Sequence, residues 1–225
     1  MKAPISEIYH VVQAEGLHKT PAVFVRFWGC NLRCAFNGTD CDTPYAVYKG
    51  EKDLMTQEQI IDKIKSFNCK HIVFTGGEPM LFQKMILEII SDLGTDYFIE
   101  IETNGTIEPQ ALMWGYIDQF NISVKLKSSN QWDGYDNKRI NPDALILFPH
   151  DKSIFKFVVC SEDDIDEIKE IIKIAPDIKV YLMPEGDNRE TLLKNIAPTM
   201  ELCLKYGWGF TNRDHILAYD KKRGV

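Results

Sequence analysis

The sequence predicts an α/β fold built on a mostly parallel sheet. Six short segments rich in β-branched and aromatic residues alternate, in most cases, with helical patterns, which is typical of repeated right-handed βα units. Two of the helical patterns begin with capping sequences, at residues 56–59 and 161–164. These observations fit both an open sheet and a sheet curled into part of a barrel.

The predicted elements can be followed along the chain. The strands cover residues 22–28, 71–75, 97–102, 121–126, 155–159 and 178–182. Helical patterns cover residues 57–67, 81–93 and 188–206, with a weaker helix before residue 121 and an amphipathic helix after residue 161. Residues 127–153 carry the weakest pattern and are interpreted either as an active-site cover or as a surface insertion.

Composition and charge narrow the classes of function. The 225 residues are 44% hydrophobic and 26% charged, which fits one domain spanning residues 1–225. The net charge is -7 and the longest basic run is residues 221–223, so we expect no nucleic-acid partner. The sequence has neither a signal-peptide core nor an apolar run of about 18 residues, so we expect a cytoplasmic protein without a membrane partner.

Cysteine spacing gives the most informative chemical signal. Cys30, Cys34 and Cys41 follow the first predicted strand within twelve residues. In a reducing cytosol such a cluster favours ligands or catalytic groups over disulfides, and thiolates bind soft metals and iron–sulfur centres. The other cysteines, Cys69, Cys160 and Cys203, stand alone in apolar segments and are predicted to be core residues.

Polar residues follow the other predicted strands at the points where those strands end. They comprise Gly76, Gly77 and Glu78, then Glu102 with Asn104, then Ser123 with Lys125, and finally residues 183–186. The carboxyl ends of parallel strands meet at one edge of a sheet, so we expect these loops to form one composite site with the cysteines. The glycine pair also fits a tight turn, and Ser123 with Lys125 also fits the solvent side of an edge strand.

These motifs together resemble the radical S-adenosylmethionine (SAM) superfamily. Within it, the chain is similar to the family of 7-carboxy-7-deazaguanine synthases, through residues 7–16, 24–34, 41–43, 74–79, 102–106 and 156–159. The resemblance implies a partial (β/α) barrel of about six parallel strands. It also implies the ring contraction of 6-carboxy-5,6,7,8-tetrahydropterin to 7-carboxy-7-deazaguanine with loss of ammonia, in queuosine and deazapurine biosynthesis.

The same resemblance implies how the cofactors are held. Cys30, Cys34 and Cys41 would bind a 4Fe–4S cluster whose open iron chelates SAM, and electron transfer would then generate a deoxyadenosyl radical, leaving no side chain as the catalytic group. The implied SAM-binding residues are Asp40, Asp42, Gly77, Glu78, Glu102, Ser123, Val124, Lys125, Met183, Pro184, Glu185 and Gly186. An electron donor such as flavodoxin or ferredoxin, and a homodimeric state, are the implied partners.

The resemblance also implies a substrate site. Its residues would be Val12, Gln13, Ala14, Glu15, Arg26, Thr75 and the C-terminal Val225, with the tail folded over the site. Arg26 would bind the substrate carboxylate, because a guanidinium is a fixed planar charge. Thr43 would be the ligand of a Mg²⁺ ion that takes its other oxygens from substrate and water.

Three departures and two alternatives accompany this interpretation. Six residues separate Cys34 from Cys41 where relatives usually have two, Ala14 replaces a glycine, and Val124 replaces a frequent proline. One alternative is a small enzyme that installs a glycyl radical on a partner protein. The other is a non-catalytic zinc-binding scaffold, which would need a fourth ligand from His10, His18 or His71.

Overall fold

A nine-stranded sheet forms the centre of the protein. The computed structural model describes residues 1–36, 39–129 and 138–224, with the backbone only at positions 39 and 40. The strands are β1 (Lys2–Val12), β2 (Pro21–Phe27), β3 (Ala35–Phe36), β4 (Thr39–Asp40), β5 (Asp53–Thr56), β6 (His71–Gly76), β7 (Phe98–Thr103), β8 (Gln119–Ile122), β9 (Ser153–Val159), β10 (Lys179–Pro184) and β11 (Gly209–Phe210). The helices are α1 (Gln57–Lys65), α2 (Gln83–Leu93), α3 (Met113–Tyr116), α4 (Pro142–Leu145), α5 (Ile165–Ile172), α6 (Arg189–Tyr206) and α7 (Asp214–Tyr219).

The order of the strands confirms the predicted fold class. The sheet runs β11-β10-β9-β8-β7-β6-β2-β1-β5, and every pair from β2 to β11 is parallel. Each new parallel strand is added on the same side of the sheet in chain order, which is how a barrel is wound. Since β5 and β11 stand at opposite ends of this order, the described sheet is a partial barrel.

Two antiparallel strands at one end of the sheet, β1 and β5, were not predicted from the sequence. β1 pairs with β2, and β5 pairs with the start of β1. β1 contains Pro4, which has no N–H to donate to a ladder. The Pro4 carbonyl still accepts a hydrogen bond, from Trp28 N at 2.9 Å, so this position remains bonded to its surroundings.

The helix starts follow their sequences closely. Thr56 and Gln59 form the reciprocal hydrogen bonds of a capping box at α1, and Ser161 with Asp164 forms another on the short 3-10 turn that leads into α5. The weak helix predicted before residue 121 is only the four residues of α3, and α7 was not predicted. In the part of the chain that the structure describes, no helix is both long enough and apolar enough to span a bilayer.

Strand β8 ends four residues earlier than predicted. It stops at Ile122, so Ser123 and Lys125 lie beyond its carboxyl end. It also has a neighbour on each side, β7 and β9. The interpretation of Ser123 and Lys125 as the solvent face of an edge strand is therefore wrong, and both residues belong to a loop at the rim.

Alternation along the parallel strands separates an apolar core from a polar interior. One set of side chains packs with α1, α2 and α5 in the core, and it includes Val25, Phe74, Ile101, Phe120 and Phe157. The residues of opposite parity face the inside of the curled sheet. Here they are polar on five consecutive strands, namely Arg26, Thr75, Glu100, Glu102, Asn121 and Lys156.

The isolated cysteines fit the core prediction only in part. Cys203 is buried within the core cluster, and Cys69 packs against that cluster. Cys160 is half-buried at the carboxyl end of β9, where it faces a small groove beside α6, so the prediction is wrong for this residue.

Candidate active site

One cavity of about 610 Å³ opens at the carboxyl ends of the parallel strands. It brings together most of the residues that the sequence singled out for cofactor, substrate and metal binding. These are Val12, Gln13, Ala14, Glu15, Arg26, Cys30, Cys34, Cys41, Asp42, Thr43, Thr75, Gly77, Glu102, Ser123, Lys125, Met183, Glu185 and Gly186. The predicted composite site is therefore a single continuous space in the structure.

Three of the predicted residues, Glu78, Val124 and Pro184, do not line the cavity. Glu78 and Val124 are buried, and Pro184 forms the last position of β10. The side chain of Asp40 and the whole of Val225 lie outside the described residues. Contacts with a ligand stay predictions for all the predicted site residues, including these five.

The chain between Cys34 and Cys41 contains the two arms of a small hairpin. β3 and β4 pair Ala35 with Asp40 and Phe36 with Thr39. The hairpin returns the chain so that Cys41 N donates to Cys34 O at 3.0 Å. The unusual spacing thus keeps the second and third cysteines adjacent. A sequence signal was present, because Asn37-Gly38 between two β-prone residues is typical of a two-residue hairpin turn.

The three thiols share one half-buried environment. Burial raises the pKa of Cys30 to about 12 and that of Cys41 to about 12, and the nearby charge of Cys34 acts in the same direction on both. Leu32 N donates to Cys30 Sγ at 3.4 Å, which supplies one of the amide contacts that a ligating sulfur favours. Bound to a metal centre these thiols would be deprotonated, so their burial is compatible with ligation.

The donor set fits an iron–sulfur cluster better than one metal ion. Among the described residues, no three Cys, His, Asp or Glu side chains converge closely enough to bind a single ion. A four-iron cluster takes each cysteine on a different iron, so its ligands stand further apart than the four around zinc, which lie about 2.3 Å from one centre. Three cysteines on the wall of one cavity match that requirement.

The histidines that a zinc site would need are used elsewhere. His71 Nε2 lies 3.0 Å from Glu100 Oε2, and its Nδ1 lies 3.0 Å from Thr20 Oγ1. The ring of His10 contacts that of Phe67 in a tilted arrangement, and the ring of His18 contacts that of Phe98 edge to face. None of these three histidines lines the cavity.

The glycine pair after β6 packs directly on the cysteine loop. A Cβ atom at Gly77 would lie 2.2 Å from Gly29 O and 2.9 Å from Cys30 Cβ, and one at Gly76 would lie 2.1 Å from Phe27 O. Because the two backbones lie this close, Gly77 N donates to Phe27 O at 3.1 Å and Glu78 N donates to Gly29 O at 2.9 Å. Close contact between two backbones therefore requires these glycines, in addition to the turn and the ligand contact considered from the sequence.

Glu78 braces the neighbouring rim loop. Its carboxylate accepts hydrogen bonds from Thr103 Oγ1 at 2.7 Å, Asn104 N at 2.7 Å and Met80 N at 2.9 Å. Burial raises the pKa of Glu78, and these three donors oppose that rise. The carboxylate thus fixes the end of β7 to the glycine loop.

A network of amides and carboxylates fills the space beneath the cavity. Gln13 is 1% exposed, and its Nε2 donates to Glu100 Oε1 at 2.7 Å and to Glu102 Oε1 at 3.2 Å. Its Oε1 accepts from Glu15 N at 3.1 Å. Asn121 Nδ2 donates to the same two carboxylates. The amide of Gln13 is therefore occupied within the protein, where it shapes the turn that carries Glu15.

A buried lysine and a half-buried arginine bind the carboxylates of the cavity, and neither was assigned a role from the sequence. Lys156 Nζ lies 2.6 Å from Glu102 Oε2 and 3.6 Å from Glu15 Oε2. Arg213 Nε donates to Glu15 Oε1 at 3.1 Å, its Nη1 donates to Gly186 O at 3.0 Å, and its Nη2 contacts Asp42. Burial alone would raise the pKa of Glu15, but Arg213 and Lys156 hold it well below its usual range.

The sequence contains a pattern that could have identified Glu100 and Lys156, but none that could have identified Arg213. Glu100 and Lys156 are single charges that alternate with apolar residues in buried strands, a pattern of period two that marks the polar interior. Arg213 lies in a loop 198 residues from its partner Glu15, and no local pattern connects the two.

Arg26 is positioned by strand β1. Its Nε donates to Glu7 Oε1 at 2.9 Å and its Nη2 donates to Tyr9 Oη at 2.8 Å. The guanidinium also faces the ring of Tyr45, 5.9 Å from its centroid. β1 thus fixes the orientation of the charge that the sequence analysis assigned to a substrate carboxylate.

The C-terminal tail covers one side of the cavity. Residues 220–224 are among its lining, and the Arg223 guanidinium lies 3.4 Å from the ring centroid of Tyr45. α7 is attached to α6 by Arg189, which donates to Leu217 O at 2.7 Å and Ala218 O at 2.8 Å. The expected fold of the tail over the site is observed as far as Gly224.

A partial (β/α) barrel with three cysteines on one rim, beside a Gly-Gly-Glu-Pro loop, defines a protein of the radical SAM class. The model of the radical SAM superfamily matches residues 26–131. The protein named 7-carboxy-7-deazaguanine synthase in Rhodopirellula baltica is 35% identical, with 98% of this chain and 88% of that protein aligned. Proteins of the same name from Halobacterium salinarum and Pyrobaculum aerophilum are 33% and 30% identical over 96% and 98% of this chain, and 90% and 96% of their own lengths.

The chain therefore belongs to the 7-carboxy-7-deazaguanine synthase family. It is an enzyme that uses a 4Fe–4S cluster and SAM, as this superfamily does. This assignment replaces both alternatives, the zinc-binding scaffold and the glycyl-radical activating enzyme.

Proposed function

We propose that this enzyme converts 6-carboxy-5,6,7,8-tetrahydropterin to 7-carboxy-7-deazaguanine with loss of ammonia, in queuosine and deazapurine biosynthesis. One observation carries the proposal beyond the family name. The segment that contains Gln13 and Glu15 lines the same cavity as the three cysteines and the glycine loop. A cofactor and a pterin held by these two groups of residues would lie next to each other.

The cofactor half of the cavity consists of the rim loops. When bound, the cluster and SAM supply a radical that abstracts hydrogen from the substrate. Cys30, Cys34 and Cys41 hold the cluster. The other residues that orient SAM and exclude water are Asp40, Asp42, Gly77, Glu78, Glu102, Ser123, Val124, Lys125, Met183, Pro184, Glu185 and Gly186. Glu102 lines the cavity, and its carboxylate has about four acceptor sites, of which Gln13, Asn121 and Lys156 use three, so it can also accept from a ribose hydroxyl.

The substrate half is formed by the N-terminal segment, two strands and the tail. Glu15 is held ionised by Arg213 and Lys156, which makes it an acceptor for the N–H groups of a pterin edge. Arg26 binds the substrate carboxylate from β2, and Thr75 lies beside it on β6 in register. Main-chain groups of Val12, Gln13 and Ala14, together with the carboxylate of Val225, complete this set.

The product of a single anaerobic incubation tests the proposed reaction. Reconstituted enzyme with reductant, SAM and the tetrahydropterin is expected to give a compound with the mass of 7-carboxy-7-deazaguanine together with one equivalent of ammonia. An incubation without the tetrahydropterin is the control. Cleavage of SAM with no deazaguanine product would overturn the proposed substrate, while leaving the radical SAM class intact.

Thr43 is proposed as a ligand of Mg²⁺. It lines the cavity two residues before a π-helical turn, Tyr45–Lys49, with Oγ1 3.5 Å from Cys41 Sγ. One hydroxyl is enough for this ion when substrate and water supply the remaining oxygens. We expect Thr43→Ala to reduce stimulation by Mg²⁺ by about tenfold while iron and sulfide contents stay at wild-type values.

Thr43→Ser is the matched variant, because it keeps the hydroxyl. It should retain the stimulation, measured as the initial rate of product formation over a series of Mg²⁺ concentrations. Equal responses of Thr43→Ala and the wild-type enzyme would reject the assignment of this ligand.

Other features of the enzyme are proposed on general grounds. We infer one functional unit over residues 1–225, because the N-terminal segment and the tail both line the cavity. A reducing cytoplasm would keep the thiols available for the cluster. A protein of the flavodoxin or ferredoxin type would supply electrons, and the enzyme would act as a homodimer.

A further inference from the structure

Lys156 has no assigned part in the proposed reaction, although its position is unusual. It projects from the middle of β9 into the polar interior and is 2% exposed. A lysine is almost never buried to this extent without a specific partner. Its ammonium group lies 2.6 Å from Glu102 Oε2 and 3.6 Å from Glu15 Oε2.

The two carboxylates that Lys156 contacts belong to different halves of the cavity. Glu102 is in the SAM set and Glu15 is in the pterin set. The neutral amides of Gln13 and Asn121 donate to Glu102 but carry no charge to offset its own. Among the described residues, Lys156 supplies the positive charge of the ion pair that Glu102 forms.

Other charges face the same group from the neighbouring elements. Glu100 lies on β7 beneath Glu102, paired with His71, while Arg213 and His215 face Glu15 from the C-terminal segment. Three carboxylates, Glu15, Glu100 and Glu102, therefore surround the one ammonium. Burial raises the pKa of Glu102 even in the wild type, and the charge of Lys156 opposes that rise. Loss of the ammonium would raise this pKa further, because burial and the repulsion from Glu100 and Glu15 would then act with less opposition.

We propose that Lys156 is a positioning residue that keeps Glu102 and Glu15 ionised and oriented, and so couples the SAM site to the pterin site. This inference rests on the proposed function. A protonated Glu102 or Glu15 would lose one of the acceptor oxygens that a ribose hydroxyl or a pterin N–H requires. The affinity for SAM and the affinity for the pterin would then both depend on Lys156. Without this lysine, both affinities would fall at acidic pH.

The test uses Lys156→Met in the reconstituted holoenzyme. The affinity for SAM is measured by titration calorimetry, and kcat/KM for the tetrahydropterin is measured from about pH 6 to about pH 9. We expect kcat/KM at pH 7 to fall about 100-fold and SAM to bind about tenfold more weakly. The acid limb of both profiles should move upward by about one pH unit or more, because the unpaired carboxylates become harder to ionise.

Two further variants make the result specific. Lys156→Arg keeps the positive charge, so its acid limb should coincide with that of the wild type and its kcat/KM should lie within about tenfold. Lys152→Met removes a lysine at the amino end of β9, where Nζ donates to Trp114 O and Ile117 O at 2.9 Å, far from the rim. It should leave both profiles unchanged.

Uniform losses at every pH in Lys156→Met, with the acid limb in its wild-type position, would overturn the proposal. If that variant does not fold, Lys156→Arg carries the test, and a displaced acid limb in that variant would overturn it equally. Failure of the proposed substrate is distinguishable, because the affinity for SAM and its pH dependence are measured without the tetrahydropterin.

Discussion

Replacing Cys41 with alanine is expected to abolish retention of the iron–sulfur cluster and, with it, all formation of product. The hairpin holds Cys41 beside Cys34 through the bond from Cys41 N to Cys34 O at 3.0 Å. Cys69, Cys160 and Cys203 lie away from the cavity, so none of them can substitute. Iron and sulfide contents after anaerobic reconstitution, together with the absorbance of the cluster, measure the result.

Cys160→Ala is the matched control for this experiment. It removes a half-buried thiol at the end of β9, a strand that does not pair with the one leading into the cysteine loop. This variant should hold as much iron and sulfide as the wild type. A full cluster in Cys41→Ala would show that the ligand assignment is wrong, whatever the activity of that variant.

Replacing Arg213 with leucine is expected to destabilise the fold by about 2 to 3 kcal/mol at pH 7, because Glu15 and Asp42 lose their common cation. This expected loss of stability is at or below the roughly 3–5 kcal/mol that breaking a fully buried ion pair typically costs, because both carboxylates keep some contact with solvent. Urea denaturation of the purified protein measures it. Arg189→Leu is the control, because Arg189 attaches the same C-terminal segment through carbonyl oxygens alone and should cost about 1 kcal/mol.

The loss in Arg213→Leu should also depend on pH. In the wild type, Arg213 and Lys156 hold the pKa of Glu15 below its usual range against the effect of burial. The stability that this provides is present above about pH 4.3, the unfolded-state value, and is lost as pH falls through the folded-state pKa. In the variant only Lys156 and His215 still oppose the effect of burial, so the pKa of Glu15 is higher. Protonation of Glu15 then removes part of the cost of its unpaired charge as the pH falls. The difference between the two proteins should therefore be smaller at pH 4 than at pH 7, and an equal difference would contradict the role of Glu15.

The predictable part of this protein is the part encoded in short-range pattern. β-branched runs, capping boxes and the cysteine spacing identified the parallel strands and located the rim, because each depends on residues within one turn or one strand. Glu102, Gly77 and the cysteines were placed correctly at the carboxyl ends by topology alone. The one strand boundary that mattered, the end of β8, was misplaced because Val124 and Leu126 continue the apolar alternation beyond Ile122.

The unpredicted part depends on contacts between distant segments. β1 becomes a strand through pairing with β2 and β5, despite Pro4. Gln13 matched a family segment, yet its amide is oriented by Glu100 on a strand 87 residues away. Arg213 meets Glu15 and Asp42 only when the tail closes on the barrel. Such pairings follow from tertiary geometry and leave no periodic trace in the chain.

The hairpin between Cys34 and Cys41 has a consequence for how relatives are recognised. Its two residue pairs, Ala35 with Asp40 and Phe36 with Thr39, add four residues to the usual two without altering the join at its base. An antiparallel ribbon lengthens by one residue on each arm, so insertions in steps of two preserve its register. Searches that demand a fixed interval between these ligands will overlook such enzymes, whereas a pattern allowing two, four or six intervening positions would retain them.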